Sequence, residues 1–175
     1  MKRVLSGLVL TIFLIVAHTV QCTAQKNPLE PLDTSSPRAT FQSFVEQAKR
    51  VENRYVAYQQ NKNASNKSAL LYAVQKATEL FDLSQLPVAI RREEGGSSFV
   101  MLYDILLRLP EISASALPGE AEFKAGVLPS KVRLPGTAIE IVRIVDGRHE
   151  GEFLFSASTV RQLPEFHNLS LTFRY

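Results

Sequence analysis

Cysteine is all but missing from this chain: Cys22 is the only one. A lone thiol cannot close an internal disulfide, so the fold must rest on an ordinary hydrophobic core. Histidine is scarce as well, and His18, His149 and His167 show no ligand spacing with one another or with Cys22 that suits a metal ion. No phosphate-binding loop is present. Gly95-Gly96 has neither a preceding strand nor a following Lys-Ser/Thr, and Pro135-Gly136-Thr137 reads as a turn that starts a strand. The nucleophile elbow Gly-x-Ser-x-Gly is absent, and Ser97-Ser98 has no base partner defined by the sequence. These absences leave no catalytic, cofactor-binding or metal-binding residue to name, and no small-molecule ligand is evident.

Long apolar runs are confined to the first two dozen residues. Lys2 and Arg3 form a positive head, Val4 to Ala17 are apolar apart from Ser6, Gly7 and Thr11, and the run gives out at His18, Thr19 and Gln21. That is shorter than the ~20 apolar residues a spanning helix needs. Small residues follow at Cys22-Thr23-Ala24, the pattern of a secretory signal cut after Ala24. Two other outcomes stay open: an uncleaved N-terminal anchor, and lipid attachment at Cys22. Loss of Lys2 and Arg3 lowers the formal charge from +3 to +1, which implies no basic partner-binding surface and no nucleic-acid partner. By length, residues 25–175 make one domain able to bury about 70% of its unfolded surface.

Residues 25–37, rich in proline, read as an extended arm that ends in Ser36 as N-cap and Pro37 at the first helical position. Phe41, Phe44, Val45, Ala48, Val51, Tyr55 and Tyr58 then recur at helical spacing. After a polar break at Asn61–Lys67, Leu70, Val74, Ala77 and Phe81 form the stripe of a second helix. A third is expected to open at Pro87 and end at Pro110, with a kink or break at Gly95-Gly96, since each glycine costs about 1 kcal/mol in a helix. Glu111 to Ser130 reads as a surface loop. Val132–Leu134, Ile139–Val145 and Glu152–Phe155 read as strands, with Asp146-Gly147 turning a hairpin between the last two. Ser156 caps a short helix that Pro164 is expected to stop.

The fold class is therefore α+β: amphipathic helices first, then a small antiparallel sheet, in a single domain over 38–167 with a tail at 168–175. Alternation puts Ile139 and Ile141 on one sheet face and Val142 and Ile144 on the other, so apolar surface around Val142, Ile144 and Leu154 is a candidate contact for a partner. The paired carboxylates Glu93-Glu94 and Glu150/Glu152 read as solvated charge, and His149-Glu150 as a hairpin tip in water. Asn63, Asn66 and Asn168 begin Asn-x-Ser sequons.

In combination, Asn27-Pro28-Leu29, Leu32 to Thr40, Leu134-Pro135-Gly136-Thr137-Ala138-Ile139-Glu140-Ile141, Gly151-Glu152-Phe153-Leu154-Phe155-Ser156 and Pro164-Glu165-Phe166 resemble the N-terminal extracytoplasmic region of bacterial small-conductance mechanosensitive (MscS-like) channel proteins. In that family the region follows a signal peptide and precedes the transmembrane helices, pore and cytoplasmic domain; the sequence here stops at Tyr175, before any of them. The resemblance implies a periplasmic or envelope location, channel subunits or another envelope membrane protein as partner, and a role without catalysis. The chain is accordingly expected to be a non-enzymatic interaction or regulatory module, either a truncated piece of a longer channel gene or free-standing. The alternatives are a small exported hydrolase whose site is assembled from residues distant in sequence, and a lipoprotein tethered at Cys22.

Overall fold

The structure, a computed structural model, describes residues 31–124 and 130–172; the signal segment, Cys22 and the first part of the arm lie outside the described residues. Helix α1 covers Pro37–Gln60 and starts as its sequence dictates, with the Ser36 hydroxyl accepting from the Ala39 N–H and Pro37 in the first turn. Helix α2 is Ala64–Ala77 and ends in a 3-10 turn at Thr78–Leu80. A second 3-10 turn, Val88–Ile90, leads into α3, Arg91–Arg108. The stretch beyond holds a 3-10 turn at Ala114–Ala116 and the short α4, Glu120–Lys124. Strands β1 (Lys131–Arg133), β2 (Glu140–Arg143) and β3 (Phe153–Phe155) form an antiparallel sheet in the order β1-β2-β3, followed by α5, Ala157–Ser170. The α+β class expected from the sequence is the class observed.

From Leu32 onward this is one compact unit. Its core is aromatic: Phe44 lies 5.3 Å from Phe99 and 5.4 Å from Phe155 between ring centroids, and Phe81 stacks on Phe155 at 5.3 Å. Such pairs add about 0.5–1.5 kcal/mol each beyond their area burial. Leu102, Leu134, Ile139, Ile141 and Leu163 belong to the same cluster. Leu117 is buried too, so the stretch after α3 is anchored in the core rather than merely crossing the surface; Arg38 fixes it by donating through Nε to the Leu117 carbonyl and through Nη2 to Glu122.

Both turns of the sheet follow local chemistry. Leu134-Pro135-Gly136-Thr137 closes through the Thr137 N–H to the Leu134 carbonyl at 3.1 Å, with Gly136 at φ 72°. The second turn is longer than a two-residue Asp-Gly turn. The Ile144 carbonyl accepts from the Gly151 N–H, and the Ile144 N–H donates to the Glu152 carbonyl, both at 2.8 Å. Two residues thus oppose one, and Gly151 at φ 86° supplies the left-handed conformation of a glycine bulge.

Four expectations are corrected. Helix α3 runs through Gly95-Gly96 without a break, because Gly95 lets the chain approach closely: a Cβ there would meet Leu83 Cδ1 at 2.8 Å and Thr78 Cβ at 3.0 Å. Helix α5 continues past Pro164 to Ser170, so the boundary expected at residue 168 falls inside it. Proline in a helix interior costs about 3 kcal/mol. Against that stand the burial of Leu163, the packing of Phe166 on the core, and a hydrogen bond from His167 to Asp104 of α3. Leu32–Ser36 are integral to the fold rather than an arm, since the Thr34 carbonyl accepts from the Phe153 N–H. Finally, the stripe on α1 is buried only as far as Ala48 and packs against the core as far as Val51; Val45 and Tyr55 are exposed and Tyr58 half-buried.

Two stability measurements check this packing. Ile141 has no exposed surface, so Ile141→Ala is expected to cost roughly 2–5 kcal/mol in urea unfolding. The adjacent glycines should respond with opposite signs. Gly96→Ala, whose new Cβ meets only Val74 Cγ1 at 3.5 Å, is expected to stabilise by up to about 1 kcal/mol, and Gly95→Ala to destabilise.

Candidate functional site

The sheet buries one face on the helices and leaves part of the other open. Cross-strand pairing of Val142 with Leu154 places both on the outer face, and Ile144 shares it by alternation. Beside β3 runs the segment after α2: Phe81 bridges Phe155 in parallel, and the Asp82 N–H donates to the Phe155 carbonyl at 2.8 Å. Between this segment and the β2–β3 turn lies a groove of about 530 Å³. Its floor is Val142, Ile144, Leu154 and Leu83, and its rim carries Asp82, Arg91, Arg143, Arg148 and His149. Arg91 is fixed there by donating to the Leu86 and Ser84 carbonyls at 2.8 and 3.0 Å.

The expectation for Val142, Ile144 and Leu154 needs one amendment. Val142 and Ile144 are half-buried and accessible, whereas Leu154 is 1% exposed and forms the base of the groove. A short apolar floor with a rim of mixed charge suits an apolar side chain carried by a polar segment.

Three polar clusters stand outside the core. Glu140 is buried on the outer face of the sheet, where Lys131 Nζ meets its Oε2 at 2.7 Å and Arg133 Nε its Oε1 at 2.9 Å. Its backbone N–H donates to Thr159 Oγ1, which ties β2 to the start of α5. Burial pushes the carboxyl toward neutrality, but hydrogen bonds and charge from Lys131 and Arg133 outweigh it and hold the pKa below the usual glutamate range. Asp104 accepts from Arg108 at 2.8 and 3.2 Å and lies 2.9 Å from His167 Nε2, joining α3 to α5. His149 meets Glu152 at 3.0 Å, and this pair, not His149 with Glu150, forms at the groove edge.

Glu93 and Glu94 are exposed in the first turn of α3, where the helix dipole favours negative charge. Ser98 is buried and Ser97 exposed. Asn63 and Asn66 serve the α1–α2 corner: the Asn63 side chain caps the Asn66 N–H, and Asn66 Nδ2 donates to the Ala57 and Asn61 carbonyls. Among the described residues no group of three His, Cys, Asp or Glu side chains is placed to hold a metal ion. No described helix is long and apolar enough to cross a membrane. The groove and the Glu140 cluster depend on pairing between strands, which periodicity alone did not reveal.

Glu140 gives a pH-dependent prediction. A carboxyl with a native pKa below its unfolded value stabilises the fold above the ordinary glutamate pKa of about 4.3, and that contribution is lost as pH falls through the native value. Glu140→Gln should therefore melt below wild type at pH 7, and the gap should shrink below about pH 4. A gap of constant size from pH 7 to pH 3 would assign the effect to shape rather than charge.

No protein-family model matches this chain, and neither a curated protein nor a solved structure does so.

Proposed function

We propose that this protein is an exported, non-catalytic module of the cell envelope, similar in role to the extracytoplasmic region of MscS-like channel proteins, and that it acts by binding an envelope membrane protein such as a channel subunit. One observation carries the reading: the described segments that resemble that family meet at a single place in the fold. Thr34 and Thr40, from the first segment, bond through the Thr34 carbonyl and Thr40 Oγ1 to the N–H and carbonyl of Phe153. Glu140, from the second, accepts through its carbonyl from the N–H of Ser156, in the third. Phe166, from the last, packs on the same core. Residues scattered over the sequence thus support one another, as expected of a module kept for its shape.

The groove on the outer sheet face is the contact surface in this reading, with Val142 and Ile144 taking an apolar side chain of the partner. Expressed with its own leader in a Gram-negative host, the protein is expected in the periplasmic fraction with Gln25 as its first residue. A photocrosslinking side chain at position 142 or 144 should then give an adduct with an MscS-like channel subunit of the source cell. Retention in the cytosol, or a periplasmic protein whose groove yields no such adduct, would overturn the proposal.

A further inference from the structure

The outer half of the α1–α2 hairpin is built unlike the remainder of the domain. Ala48 is the last buried residue of α1 and Ala73 the first of α2; no residue from 49 to 72 is buried. At a rise of 1.5 Å per residue, α1 runs roughly 14 Å from Val51, its last residue packed against the core, to its end at Gln60. The projection is nevertheless well made. The Asn61 N–H bonds the Ala57 carbonyl, Asn63 caps α2, and Asn66 donates to the Ala57 and Asn61 carbonyls. A corner with this many satisfied backbone groups holds its shape without a core beneath it.

Charge is segregated on the same segment. Lys49, Arg50, Arg54, Lys62 and Lys67 face a single acid, Glu52, whereas acidic and basic residues balance over the described chain as a whole. The hairpin is therefore the positive pole of a domain whose other parts carry an acidic excess. None of the five cations forms an ion pair among the described residues. Between them stand exposed apolar groups: Tyr55 is 52% and Tyr72 51% exposed, with Val56 and Leu71 also outside.

We propose that the outer part of the α1–α2 hairpin docks on an anionic lipid surface, its lysines and arginines on the headgroups and Tyr55 and Val56 at the boundary with the acyl chains. Tyrosine suits that depth because it has an apolar body and a polar end. Cations beside such residues are attracted to negative headgroups, and the attraction weakens with salt. The acidic excess elsewhere repels the same surface, which favours contact through the hairpin. This binding does not depend on the envelope reading, since it requires only lipid.

The test uses residues 25–175, because the core cluster among the described residues lies within residues 32–166 and the apolar run Val4–Ala17 would bind lipid by itself. Sedimentation with vesicles of phosphatidylcholine plus one-third phosphatidylglycerol is compared with phosphatidylcholine alone, at low and high salt. Binding is expected only to the anionic vesicles and only at low salt. Each cation at such a surface is worth about a fivefold change in partition, so Lys62→Glu with Lys67→Glu should lower it at least roughly 25-fold without moving the melting temperature. Tyr55→Ser with Val56→Ser should weaken binding while keeping its salt dependence, and Arg161→Glu on α5 should leave it unchanged. No binding to anionic vesicles, equal binding to neutral ones, or tip variants that bind as wild type would each overturn the proposal, including the case in which the tip takes up an acidic polypeptide instead.

Discussion

Strand β3 is three residues long, and the fold depends on its backbone being satisfied along both edges. On one edge it pairs with β2; on the other, Thr34 accepts from the Phe153 N–H, Thr40 donates to the Phe153 carbonyl and Asp82 donates to the Phe155 carbonyl. Each partner comes from a different part of the chain. The entry to α1, the exit from α2 and the second strand are thus fixed to one another through a single strand, and leaving any of these buried groups unpaired costs about 1–3 kcal/mol. The side chains repeat the arrangement, since Phe155 touches both Phe44 of α1 and Phe81 beyond α2.

Given that junction, the remaining elements fall into two kinds. Helices α3 and α5 close the core, and polar contacts tie them in where local sequence argues against a helix: Asp104 holds His167 three residues beyond Pro164. The outer half of the α1–α2 hairpin and the open part of the outer sheet face add little to the core. Both keep apolar side chains in water, at Tyr55 and Tyr72 on the hairpin and at Val142 and Ile144 in the groove. Surface of this kind, on a scaffold stabilised elsewhere, is where a binding module would make its contacts.

Much of the fold was legible in residues that act on their neighbours. Ser36-Pro37, Ser156 and Leu134-Pro135-Gly136-Thr137 do what their local chemistry dictates, because a cap or a tight turn is settled within four residues. Features that depend on distant partners could not be read in the same way. Gly95-Gly96 looks like a breaker until Thr78 and Leu83 are seen against it, and Pro164 looks like a stop until Asp104 and the core are seen to hold the last turns of α5. Val45 and Tyr55 obey the helical period as well as Phe41 and Phe44 do, but periodicity does not record where the neighbouring helix and sheet end. Of the candidate sites, the apolar set Val142, Ile144 and Leu154 was visible from alternation, while the groove that joins it to Asp82 and Arg91 was not. The cations from Lys49 to Lys67 were in plain view, but that no residue among them is buried was not.

Native-state hydrogen exchange at the amides of Asp82, Phe153 and Ser156 tests the β3 junction most directly. All three bonds join segments far apart in sequence. If β3 is what holds those segments together, the three amides exchange only through global unfolding, with one common free energy and one common dependence on denaturant. If Asp82 or Phe153 exchanges through a smaller, denaturant-independent opening while Ser156 stays protected, the junction is not a cooperative unit and β3 does not organise this fold.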